Sequence, residues 1–193
     1  MEIDKLNISF KGERDYIQFG DVYDAINIFF DENISDLYVS KLMYKRRASK
    51  KPSVDKFPKN AFGLIFFSDN NGNTEKFYLN ETNDSITERR EYKEEIIEDS
   101  SIIDKETIRS PHNAGFSTIE HIVTLNKKFN NFKFSPEKGK WICARIILTK
   151  KLPFNFKKII IKLKKSTKSV YSVCSINIDG EYFGEVHFVL DQK

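Results

Sequence analysis

The sequence predicts an antiparallel, β-rich α+β fold in which two amphipathic helices pack on curved sheets. Three observations carry this. Short apolar segments alternate with polar residues at the strand period of two. Two stretches place apolar residues at helical spacing behind a capping residue. Asp179-Gly180, between two alternating runs, is the strongest hairpin signal in the chain.

In chain order, residues 6–10 form a short opening strand. Asp21 then caps a helix whose buried side is Val22, Ala25, Ile26, Phe29 and Phe30. Strands are expected over 37–44 and 61–67, with Asn70-Asn71-Gly72-Asn73 turning the chain into a return strand at 76–79. Residues 81–106 hold ten acids against four basic residues and only a thin apolar face, the composition of a polar helix or an excursion. Ser117-x-x-Glu120 is a capping box opening a second helix, with Ile119, Ile122, Val123 and Phe129 as its stripe and Asn130-Asn131 as its stop. Three strands follow. In 141–149, Ile142, Ala144, Ile146 and Leu148 share one face; in 158–165, Ile159, Ile161 and Leu163 oppose Lys158, Lys162 and Lys164; and 170–178 turns at Asp179-Gly180 into 181–190.

Each half of the chain is thus one helix followed by antiparallel strands. The reading is a single α+β domain over 1–193, with possible lobes 1–80 and 111–193 joined by the polar, acidic segment 81–110; a tandem helix-plus-sheet arrangement is compatible with it. A helix across a curved antiparallel sheet is also the ingredient list of a hot-dog fold. The run Asp15-Tyr16-Ile17-Gln18-Phe19-Gly20-Asp21, leading straight into the first helix, suits the central helix of such a fold. That analogy implies acyl-thioester chemistry only at the level of the fold.

Composition narrows the class. Of 193 residues, 39% are hydrophobic and 13% aromatic, with 17 Phe, enough for a core and too apolar for a disordered chain. No apolar run reaches the roughly 20 residues that span a bilayer. The polar start is unlike a secretory signal, and Cys143 and Cys174 lie within apolar runs as buried thiols would. A cytoplasmic protein is expected.

Candidate chemistry is sparse. Three histidines and two cysteines at non-ligand spacings predict no metal, and the absence of any phosphate-loop or dinucleotide motif predicts no cofactor. His112 lies in a loop and His121 is placed on the surface of the second helix. If the final hairpin has a two-residue loop, Cys174 pairs with Glu185 and Ser172 with His187, bringing Cys174, Glu185 and His187 onto one face as a potential activated thiol. Asp21 and Asp24 at the first helix start would serve as acid or base under the hot-dog analogy.

Charge distribution supplies the leading expectation. Residues 138–178 carry eleven Lys and Arg and no acid, and residues 41–59 carry eight against Asp55 alone. Lys158, Lys162, Lys164, Arg145 and an outward Trp141, assisted by Lys45, Arg46 and Arg47, would hold phosphates and stack a base. The expectation is therefore a non-enzymatic module binding nucleic acid or another polyanion. The alternatives are a hot-dog-like protein for acyl thioesters, with Asp21, Asp24 or a histidine near a helix start, and a protein–protein module. No membrane association is expected; the oligomeric state is open, a homodimer being compatible.

Overall fold

An amphipathic helix must bury its stripe on a second element, and each long helix of this chain packs on strands of its own unit. A computed structural model describes residues 3–33, 36–112 and 115–192. The chain divides into two units, Met1–Tyr92 and Lys93–Lys193.

The first unit contains β1 (Phe10–Lys11), α1 (Phe19–Asn33), β2 (Leu37–Tyr44), β3 (Lys50–Asp55), β4 (Ala61–Asp69), β5 (Thr74–Ser85) and β6 (Arg89–Arg90). Its antiparallel sheet runs β3-β5-β4-β2, while β1 and β6 pair as a separate parallel ladder. Val22, Ile26 and Phe30 of α1 are fully buried. Phe30 meets Phe67 edge-on at 4.6 Å between ring centroids, and Phe67 lies 5.1 Å from Phe77. The Asp69 carboxylate accepts the amides of Asn71 and Asn73, which closes the β4–β5 turn. The opening strand contracts to two residues, with Leu6 instead donating its amide to the Pro52 carbonyl.

The second unit contains α2 (Glu95–Asp99), β7 (Ile102–Asp104), β8 (Thr107–Pro111), α3 (Thr118–Phe134), β9 (Lys140–Leu148), β10 (Lys158–Thr167), β11 (Tyr171–Ile178) and β12 (Glu181–Asp191). Its sheet order is β9-β12-β11-β10-β8-β7. Both units therefore carry one long helix followed by four antiparallel strands, but the strands are connected in different orders. The acidic stretch holds no long helix. Residues up to Ser85 belong to β5, and only Ile97 of α2 is buried, too little apolar surface to hold more than five residues helical.

The Ser117–Glu120 capping box forms as expected: Ser117 Oγ accepts the Glu120 amide and Glu120 Oε2 accepts the Ser117 amide. The buried stripe of α3 is Ile119, Ile122, Leu125 and Phe129, with Leu125 taking the place foreseen for Val123. The helix runs past Asn130-Asn131 and stops at Ser135, whose left-handed φ of 38° closes the last turn.

Three β-bulges shape this second sheet. One on β12 lets Asn177 pair with Tyr182 and Ile176 with Gly184, so Phe183 is the extra residue. One on β9 inserts Ala144 between the pairs Phe188–Cys143 and His187–Arg145. One on β10 places Lys164 between Leu163 and Lys165. Each bulge inverts which side chains face α3. Among the described residues, no helix is long and apolar enough to cross a membrane.

Gly184 is required by its bulge. Its φ is 143°, and a Cβ there would collide with the Ile147 carbonyl oxygen and the Leu148 backbone. Gly184→Ala is expected to destabilise the protein by about 2 kcal/mol or more. A drop in the denaturation midpoint measures it, and an unchanged midpoint would count against the bulge.

Candidate functional site

The start of α3 brings together two of the second unit's three imidazole groups, those of His112 and His121. The capping box fixes the first turn, and His121 follows Ser117 by four residues, directly beneath its carbonyl. His121 Nδ1 lies 2.9 Å from the Ser117 oxygen, and because a carbonyl only accepts, Nδ1 carries the proton. In the neutral ring the lone pair then resides on Nε2. His112, from the loop after β8, stacks on His121 with centroids 5.5 Å apart and planes at 22°. Phe156 stands edge-on to both rings at 5.0 Å, and Phe116 approaches His121 at 6.2 Å.

The loop carrying Phe156 is bound to the helix start. Thr118 Oγ1 donates to the Pro153 carbonyl at 2.5 Å, and the Asp179 carboxylate accepts the amides of Lys157 and Lys158 at 3.0 and 2.8 Å. His121 is 0% exposed. Burial holds its pKa below the ordinary 6.5 and the neighbouring His112 lowers it further, against the opposing Ser117 hydrogen bond. The arrangement is a neutral base in an aromatic surround, and a second positive charge on the stacked pair is disfavoured. Glu120 is committed to the cap. Among the described residues, no three His, Cys, Asp or Glu side chains converge to hold a metal ion.

Other candidates lie elsewhere. Asp21 is not the N-cap: α1 begins two residues earlier, and Asp21 sits in its first turn. Its Oδ1 accepts Lys11 Nζ at 2.9 Å and Arg90 at 3.2 Å. Lys11 is itself 1% exposed and lies 4.5 Å over the Tyr92 ring. Two cations flank this carboxylate, which gives it a structural role. Asp24 lies on α1 one turn farther, half-buried.

The final hairpin does not bring Cys174 to Glu185 and His187. Pairing starts as expected at Ile178–Glu181, but the extra Phe183 shifts it, so Cys174 pairs with Val186, Ser175 with Glu185 and Val173 with His187. Cys174 is fully buried, and burial pushes its thiol pKa up to about 12, a poor nucleophile. Burial also pushes the Cys143 thiol up. Glu185 and His187 occupy the opposite face with Tyr171, whose Oη is 2.5 Å from His187 Nδ1.

Within each unit, members of the basic set are turned inward or engaged by neighbours. The Ala144 bulge turns Trp141 inward, where it is 3% exposed and 5.5 Å from Phe134, so it cannot stack a base. Arg145 keeps the outward face, half-buried, and Lys158 and Lys162 are exposed. Lys164 is paired with Glu185 at 2.5 Å. In the first unit, Lys45 is exposed, Arg46 binds Glu81 at 2.5 Å, and Arg47 lies over the Tyr16 ring at 4.9 Å.

No protein-family model matches this sequence, and no curated protein does. Among solved structures, it is similar to a tesB protein of Mycobacterium avium subsp. paratuberculosis, with a TM-score of 0.53 at 7% identity over 96% of this chain and 91% of that one. The chain has a hot-dog fold. Weaker likenesses, both with a TM-score of 0.45, are to a protein described as an oleoyl thioesterase from Lactobacillus plantarum and to the PpsC dehydratase domain from Mycobacterium tuberculosis in complex with C12:1-CoA. The first shares 10% identity over 100% of this chain and 96% of that one, the second 7% over 91% and 85%. The hot-dog likeness overturns the expectation of a nucleic-acid-binding module. The inward Trp141 and the neutralised Lys164 and Arg46 give the physical reason.

Asp21→Asn removes the charge that Lys11 needs in its buried position. The expected loss is about 3–5 kcal/mol of stability. Chemical denaturation measures it, and a neutral result would refute the structural role of this ion pair.

Proposed function

We propose that this hot-dog protein binds acyl thioesters and processes them by proton transfer at His121. The observation that carries the reading is the buried His121 at the start of α3, its tautomer set by Ser117 and its ring stacked on His112. The hot-dog architecture supports the substrate class, and the aromatic surround supports an apolar acyl group. Neutral Nε2 takes a proton from the substrate or from an attacking water, and the ring keeps its orientation because Nδ1–H stays on the Ser117 carbonyl. The positive end of the α3 dipole lies at the same turn and favours negative charge developing on the thioester oxygen. His112 limits the charge state of His121 and is a positioning residue.

A lowered His pKa means that the neutral form is retained to more acid pH. The stabilising contribution of this burial is present above the unfolded value of 6.5 and is lost as pH falls through the folded value. The acid limb of kcat/KM is therefore expected to fall below pH 6.5. Substituting His112→Ala moves it upward by removing one lowering influence. His121→Asn is expected to reduce kcat/KM by roughly 10²–10⁴ while preserving the fold. Acyl-CoA thioesters of short to long chain are the substrates to assay, by product analysis and by calorimetric binding. Neither binding nor turnover with any of them would end this reading.

A further inference from the structure

The outward face of the second sheet, turned away from α3, carries a separate row of titratable groups. Tyr171 Oη lies 2.5 Å from His187 Nδ1, His187 Nε2 lies 3.8 Å from Glu185 Oε2, and Glu185 Oε1 holds Lys164 Nζ at 2.5 Å. Arg145 is the register partner of His187 on β9. That this face is the outward one follows from alternation: Cys174 and Ser172 are fully buried on the opposite side. Each of the three bulges contributes to the row. The Phe183 bulge turns Glu185 and His187 outward, the Ala144 bulge leaves Arg145 beside them, and the bulge on β10 carries Lys164 itself. Bulges re-aim side chains in this way next to reactive sites.

We propose that Tyr171, His187 and Glu185 form a carboxylate–imidazole–phenol relay that makes Tyr171 an acyl-accepting nucleophile, a second reactive site independent of the His112–His121 pair at the α3 start. The order of groups supports it. The Glu185 carboxylate favours a proton on the near nitrogen, Nε2, leaving Nδ1 to accept from the Tyr171 hydroxyl. Lys164 anchors the carboxylate from its other oxygen, fixing the outer end of the relay. His187 is buried, whereas Tyr171 is half-exposed, so the base is shielded and the nucleophile is accessible. The ligand class is an activated acyl ester or thioester. In the step, Tyr171 Oη attacks the acyl carbon and its proton passes to His187 Nδ1. The bond from that carbon to the leaving oxygen or sulfur breaks, and the leaving group takes the proton from Nδ1. The products are an aryl ester on Tyr171 and a free alcohol or thiol.

The test is timed reaction of the intact protein with p-nitrophenyl acetate, followed by peptide mapping. The chain has eight tyrosines, and Tyr182, which is 44% exposed, serves as the internal standard. Tyr171 is expected to acetylate at least about 10-fold faster than Tyr182, and His187→Gln to remove that excess. Glu185→Gln reduces it in part, and Tyr171→Phe abolishes the label there. The preference must also vanish in urea, a comparison that needs no variant to fold. Equal labelling of Tyr171 and Tyr182 in the native protein, a preference that survives urea, or one untouched by His187→Gln would each overturn the proposal.

Discussion

Strand side chains alternate with a period of two, and a single inserted residue exchanges the two faces of everything beyond it. In the second unit this happens on three strands. The inner face stays apolar under α3 only because each slip is matched by the local sequence: Trp141 and Cys143 fill the inward positions before Ala144, and Ile146 and Leu148 fill them after it. The same slips sort the polar groups, sending Cys174 into the core and Glu185 and His187 out of it. The energetic driver is ordinary. Burying Trp, Phe and Ile surface at roughly 25 cal/mol per Å² outweighs the ladder hydrogen bonds that a bulge gives up.

The two long helices begin against different electrostatic surroundings. At α1, Asp21 is enclosed by Lys11 and Arg90 beside the Tyr92 ring, so charges meet and cancel. Such a cluster suits an anchor between the β1–β6 ladder and the helix. At α3 the cap uses the carboxylate of Glu120, and the next residue, His121, is buried without a formal charge. A neutral base in apolar surroundings can exchange a proton without dismantling an ion pair, which is why the proposed chemistry is placed at α3.

Much of this architecture was legible in the sequence. The helical stripes, the Ser117–Glu120 box, the Asn-rich turn and the Asp179-Gly180 hairpin all depend on neighbours within a few positions, where local rules hold. The side on which His121 lies did not follow from the stripe alone, because α3 also buries Thr124, Asn126 and Asn130 and so turns a broader face to the sheet. Nothing near Ala144 or Lys164 in sequence marks an extra residue, since those slips are set by partner strands far along the chain. Gly184 was a visible signal: a glycine inside an alternating run suggests a bulge or close backbone approach, and it would have separated Cys174 from His187. Charge density misled for a related reason. Counting cations along 138–178 says nothing of the acids that strand pairing sets beside them, such as Glu185 against Lys164.

The hairpin tip at Asp179 is also a fastening for a distant loop. Its left-handed turn, with φ of 52° at Asp179 and 92° at Gly180, aims the carboxylate at the amides of Lys157 and Lys158, at the end of the segment carrying Phe156. Exposed two-residue turns are usually the most permissive places in a protein for added sequence. This one is an exception, because lengthening it would slacken the segment that walls the histidine pair. Natural or engineered extensions are better accommodated at the β4–β5 turn, where the Asp69 carboxylate binds Asn71 and Asn73 of its own loop.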